Sequence, residues 1–121
     1  MATHLVFVYG TLKHGKYNHY LLEDSECLGE YFTSKDYTLI MSNLPYLIKR
    51  KGHGCLGEVY KINSRILSSL DKLEHHPEWY ERKEIEVIPL DGSEKLKVWA
   101  YVHPDIFKKG ILKDYAIIRS Y

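Results

Sequence analysis

Residues 5–9 read Leu-Val-Phe-Val-Tyr, apolar at every position, and the run stops at Gly10. A strand that faces water on one side alternates polar with apolar residues, whereas an unbroken run needs cover on both faces. The chain therefore opens on a buried central strand, and the rest must be arranged around it. Its 121 residues make one domain, 1–121, long enough for a single hydrophobic core.

The remaining signals are mostly those of strands. Glu30–Thr33 and Tyr37–Met41 are strand-like segments around a turn at Ser34-Lys35-Asp36, and Pro45–Ile48 is a shorter one. Cys55–Ile62 follows the Gly52-His53-Gly54 turn, with Gly57 read as a β-bulge. Tyr80–Ile88 and Leu96–Val102 flank a turn at Asp91-Gly92, and Leu96, Val98, Ala100 and Val102 alternate with Lys97, Trp99 and Tyr101. A short helix is expected at Asn18–Glu23. A clearer one starts at Asn63 or Ser64, with Ile66, Leu67, Leu70 and Leu73 on one face, and Pro77 ends it by about His76. The tail carries Asp114-Tyr115. The result is an α+β chain dominated by antiparallel strands.

Charge narrows the function classes. Lys plus Arg (17) nearly cancels Asp plus Glu (16), and the pI is about 7.8. Lys49–Lys51 and Lys108-Lys109 are only short basic patches, so nucleic acid is not an expected partner. No run reaches the roughly 18 apolar residues of a membrane helix. The first residues lack the basic start of a secretion signal. Cys27 and Cys55 have neither CxxC spacing nor a zinc pattern; one disulfide could join them, but they read as reduced thiols of a cytoplasmic protein. Eleven tyrosines suit a strand-rich protein with a partly wet pocket.

Two places carry chemistry. At about 100° per residue, with Ile66 at zero, the helix's apolar side chains centre near 30° and Glu74 falls at about 80°, inside the apolar arc. Burial and the helix's negative end would both raise the pKa of that carboxylate, as a general acid/base near neutral pH requires. Fraying after Leu73 would instead turn it to solvent. The second place is Tyr9-Gly10-Thr11-Leu12-Lys13, where a buried strand meets a turn. Gly10 would let a ligand approach, and successive N–H groups there can form an anion-binding nest; an ordinary strand-ending glycine reads the same way. The spacing is not that of a phosphate loop.

Together these places resemble the gamma-glutamylcyclotransferases, and most nearly the gamma-glutamylamine cyclotransferases with their small bacterial and archaeal relatives. The resemblance rests on Val6-Phe-Val-Tyr-Gly-Thr-Leu-Lys13 followed by Gly15 and Asn18-His19. Gly57-Glu-Val-Tyr60, Leu67, Leu70-Asp71, Leu73-Glu74, Pro77, Tyr80 and Arg82 continue it in order. It spans roughly the first 90 residues and weakens afterwards. It implies a small mixed, mostly antiparallel barrel-like sheet flanked by short helices. It also implies that Tyr9, Gly10, Thr11 and Leu12 bind the gamma-glutamyl group and that Glu74 is the acid/base. Tyr80, Tyr101 and Tyr115 are then pocket walls or hydrogen-bond donors. The implied reaction is intramolecular attack of the substrate's α-amine on its γ-carbonyl, giving 5-oxoproline and a free amine or amino acid, with no metal and no cofactor.

Two rivals are weaker. Glu74, His75, His76 and Glu78 suggest a metal, but adjacent histidines on a helix diverge by about 100° and HExxH is absent. Nothing beside Cys27 or Cys55 marks a nucleophilic thiolate. The alternative outside enzymes is a non-catalytic or regulatory protein that holds a gamma-glutamyl-like ligand or a protein partner in the same pocket. Oligomeric state and the leaving amine are left open.

Overall fold

The computed structural model describes residues 2–104 and 115–121. Lys108, Lys109 and Asp114 lie outside the described residues. Strand β1 (Thr3–Val8) runs antiparallel to β5 (Leu56–Asn63), from Thr3↔Asn63 to Val8↔Glu58. β5 pairs with β2 (Glu26–Thr33), β2 with β6 (Glu81–Pro89), and β6 with β7 (Leu96–Val102). A single parallel pairing, Val6↔Trp99, returns β7 to β1 and closes a five-stranded barrel. Beside it lies a three-stranded antiparallel sheet in the order β4-β3-β8, built from β3 (Thr38–Met41), β4 (Pro45–Ile48) and β8 (Ala116–Ile118).

Closure explains the unbroken first strand. Phe7 points into the barrel with Val59, Val87, Val98 and Ala100, while Val6 and Val8 point outward. There they are covered by helix α1 (Ser64–Leu73) through Leu67 and Leu70. Asn63 caps this helix, its Oδ1 accepting from the Ile66 N–H at 2.9 Å. The segment expected as a helix at Asn18–Glu23 is a single 3-10 turn, His19–Leu22, with Leu22 buried beneath it.

Two expectations change here. Gly57 is no bulge: it pairs in register with Tyr31, and the slip lies in β2 between Cys27 and Gly29. Glycine is needed at 57 for space, since a Cβ there would stand 2.4 Å from the Val8 carbonyl oxygen and 2.6 Å from the Phe7 ring. The Ser34–Asp36 turn lies between strands as expected, and it carries the chain from the barrel into the second sheet, because β2 and β3 have no partner in common. Helix α1 ends at Leu73, short of His75. No described helix is long and apolar enough to cross a membrane.

Candidate functional site

The chain leaves the barrel after Val8 and turns at once, with the Lys13 N–H on the Gly10 carbonyl at 3.1 Å. The buried side chain of Asn18 holds this loop from behind. Its backbone N–H reaches the Thr11 carbonyl and its Nδ2 donates to Thr11 Oγ1, both at 2.9 Å. The His14 N–H donates to Glu58 Oε1 at 2.8 Å, which ties the loop's far side to β5. Among the described residues, no acceptor takes the N–H groups of Gly10, Thr11 or Leu12. Three consecutive donors are thus left for a ligand. Gly10 lines the cavity and also makes room for β4, since a Cβ there would meet the Pro45 ring at 2.8 Å.

Opposite the loop, α1 stops in a Schellman cap. The His76 N–H donates to the Asp71 carbonyl at 2.9 Å and the His75 N–H to that of Lys72 at 3.2 Å. Glu74 is the cap residue (φ −87°, ψ 0°), close enough to helical that its side chain keeps its place on the apolar arc. His75 takes the left-handed position that glycine usually fills, with φ 52°. The helix therefore ends where fraying would begin, yet Glu74 turns inward. It lines a cavity of about 280 Å³ whose other walls include Tyr9, Thr11, Leu12, Tyr80 and Tyr101. Burial pushes its carboxyl up from 4.5 to about 7. No described residue donates a hydrogen bond to that carboxylate or forms an ion pair with it.

The hydroxyls of the three buried tyrosines at this cavity are engaged as donors. Tyr9 gives its proton to the Tyr101 carbonyl, Tyr80 to the Pro45 carbonyl at 3.0 Å, and Tyr101 to Asp71 Oδ1 at 2.7 Å. Burial first, and then neighbouring charges that include Glu74, push all three phenols well above their usual range. They stay neutral, and their oxygens can offer a ligand only lone pairs.

The structure thus gathers Tyr9, Gly10, Thr11, Leu12, Glu74, Tyr80 and Tyr101 at one cavity. Tyr115 is not among them. It stands 46% exposed just before β8, in a separate depression with Arg50 and His53, because β8 is drawn onto the edge of β3. Sequence reasoning missed His75, Trp79, Tyr17, Leu44 and Pro45 as lining residues. Trp79 and His75 sit in the non-repeating turn after the helix, where periodicity gives no direction. Leu44 and Pro45 arrive from the second sheet, whose position no local pattern reveals. The two histidines diverge: His75 lines the cavity, while His76 Nδ1 accepts the Arg82 N–H at 3.0 Å. Cys27 is exposed and Cys55 buried, both as free thiols; burial pushes the Cys55 thiol up to about 12, the wrong direction for a nucleophile.

Comparison with known proteins gives a consistent answer. The profile of the family described as "Gamma-glutamyl cyclotransferase, AIG2-like" matches residues 6–116, well beyond the first 90. A protein of Methanocaldococcus jannaschii, provisionally named a gamma-glutamylcyclotransferase, is 34% identical over 116 residues, which cover 91% of this chain and 96% of that one. The gamma-glutamylaminecyclotransferase C of Danio rerio is 37% identical over 77% of this chain and 68% of its own. The crystal structure of an AIG2-like protein from Mus musculus superposes with a TM-score of 0.84 at 26% identity, covering 100% of this chain and 89% of that one.

Proposed function

This chain belongs to the gamma-glutamyl cyclotransferase, AIG2-like family, and on that premise we propose that it is a cyclotransferase in which Glu74 moves the protons. The substrate is a small gamma-glutamyl compound, and the products are 5-oxoproline and a free amine or amino acid. The observation that carries the reading is the Glu74 carboxyl itself. It is drawn into a cavity, poised near pH 7, and faces a loop with three N–H groups to offer.

The chemistry follows from that arrangement. As carboxylate, Glu74 takes a proton from the substrate's α-ammonium. The freed lone pair forms the bond to the γ-carbonyl carbon, and the carbonyl electrons move onto oxygen. As the tetrahedral centre collapses, the bond to the leaving nitrogen breaks with its electron pair on nitrogen. Glu74 returns its proton there, and the second proton of the attacking nitrogen leaves with the amine or to water. The loop N–H groups suit either the α-carboxylate or the developing oxyanion. Folding the substrate so that amine and carbonyl meet supplies much of the rate, since effective molarities reach about 10⁵–10⁸ M.

The test is a panel of gamma-glutamyl amines, gamma-glutamyl amino acids, gamma-glutamyl-ε-lysine and glutathione, with 5-oxoproline followed by mass spectrometry. Release from any member, lost in Glu74→Gln, supports the proposal. Equal inactivity of both proteins on every member favours a binding protein instead.

A further inference from the structure

Between Asp71, in the last turn of α1, and Arg82, near the start of β6, residues 74–80 belong to neither helix nor sheet, and they carry Glu74, His75, Trp79 and Tyr80 to the cavity. Such a segment lacks the repeated hydrogen bonds of a helix or sheet, so its geometry must be fixed at particular points. Its two ends are joined. The Arg82 guanidinium forks onto the Asp71 carboxylate, Nε to Oδ1 at 2.8 Å and Nη2 to Oδ2 at 3.3 Å. Asp71 Oδ1 also accepts from the Tyr101 hydroxyl. The guanidinium lies 4.4 Å from the centre of the Trp99 ring, and the Arg82 N–H holds His76 Nδ1. Helix, β6 and β7 therefore meet at one carboxylate, and the turn is tied to the same corner through His76. The set continues to the substrate loop, because the Tyr101 carbonyl receives the Tyr9 hydroxyl.

An exposed ion pair would mean little. This one is different: both side chains are about four-fifths covered (20% and 24% exposed), and the fork is planar on planar. Asp71 does not itself reach the reacting centre, since its oxygens are taken up by Arg82 and Tyr101.

We propose that Asp71 and Arg82 are positioning residues: a clip that closes the base of the 71–82 excursion and holds Glu74 and Tyr80 against the loop. The proposal rests on the functional reading above for its kinetic consequence, and on geometry alone for its structural one. Opening the clip lets the excursion relax and water reach Glu74. A misplacement of about 1 Å in such a site costs on the order of 10²-fold in rate. The loss falls on kcat, because the loop donors that hold the substrate are not moved by it directly.

The test uses Asp71→Asn, which keeps the shape and one acceptor, and Arg82→Lys, which keeps the charge and loses the fork. Arg82→Lys also serves if the asparagine variant does not fold. Two quantities are read in the whole chain: kcat and KM on whichever panel member wild type turns over, and the titration of the Glu74 side-chain carboxyl by carbon NMR. Burial is what raises Glu74, and the Tyr9, Tyr80 and Tyr101 phenols beside it stay neutral. Of the groups near it, Arg82→Lys keeps every charge, His75 at the cavity wall included, whereas Asp71→Asn removes a negative one. A downward move of the Glu74 midpoint in Arg82→Lys therefore reports hydration, and the same move in Asp71→Asn adds to it the loss of a like charge. We expect turnover to slow by about 10-fold or more while KM changes by less than about 3-fold. The Glu74 midpoint should fall from about 7 towards 4.5. A variant that melts earlier but keeps wild-type turnover and midpoint overturns the proposal and makes the clip merely structural. If wild type turns over nothing, the cyclotransferase reading fails while the NMR titration still decides the clip.

Discussion

The barrel interior and the turn that carries Glu74 follow opposite rules. Inside the barrel, Phe7, Val59, Val87, Val98 and Ala100 are held by ladders that repeat every two residues, and each side chain is one aliphatic or aromatic surface among several. In the Leu73–Tyr80 turn nothing repeats. Each group has one named partner: His76 N–H on Asp71, Trp79 N–H on the His75 carbonyl, Tyr80 hydroxyl on Pro45. A ladder distributes an error over its neighbours, whereas a set of single contacts transmits it. The barrel therefore supplies rigidity, and the turn aims a carboxylate at the price of local strain at His75.

Substitutions can break or sharpen that contrast. The largest effect is expected from Glu74→Gln, which keeps the shape and removes the proposed proton carrier: turnover falls by about 10²–10⁴-fold while circular dichroism stays unchanged. In wild type, kcat/KM should rise through an acid limb near pH 7 as Glu74 ionises, and the variant's residual rate should lack that limb. An unmoved rate would return Glu74 to the role of a wall residue.

Next comes the barrel. Gly57→Ala drives a methyl into the Val8 carbonyl and the Phe7 ring, and a loss of about 2–3 kcal/mol is expected by urea denaturation. Full stability would show that the barrel can yield even at its tightest contact.

A smaller effect is thermodynamic and depends on pH. The Glu74 carboxyl binds its proton more tightly folded than unfolded, so folding is favoured where it is protonated. That advantage is complete below 4.5, the unfolded value, and is lost as pH rises to about 7. Above 7, Glu74→Gln should be the more stable protein, by on the order of 1–2 kcal/mol once cavity solvent is allowed for. The gap should close at pH 4.5. A gap that persists there would assign the gain to packing and not to charge.

The smallest effect is a gain. His75→Gly relieves a left-handed residue at the helix cap and should add about 0.5–1 kcal/mol. A loss would mean that the imidazole holds the turn by contacts stronger than the strain.

This contrast also explains what the sequence disclosed. Strands of the barrel were readable because two-residue alternation, and its absence at residues 5–9, reports which faces are covered. Glu74 was readable because one turn of helix fixes a direction, and the cap preserves it one residue past the helix end. The second sheet was not readable. Thr38–Met41 is a plausible strand anywhere, and only long-range pairing with Pro45–Ile48 and Ala116–Ile118 places it. Pro45 reached the cavity by that route, and Tyr115 was drawn away from it by the same pairing. At Gly57, a glycine required by a neighbour's ring looks in sequence like one required by its own backbone.

The engaged hydroxyls of Tyr9, Tyr80 and Tyr101 have a consequence for handedness. Together with ionised Glu74 they offer lone pairs to a ligand's ammonium, while the Gly10–Leu12 N–H groups offer donors to a carboxylate. An α-amino acid head has one group for each wall. With its side chain directed along the cavity and its Cα–H held to one side, one enantiomer sets ammonium against acceptors and carboxylate against donors, and its mirror image exchanges the two. Turnover of L- and D-gamma-glutamyl forms of one amine, measured side by side, should therefore differ widely. Equal rates would mean that the two walls do not divide the head between them.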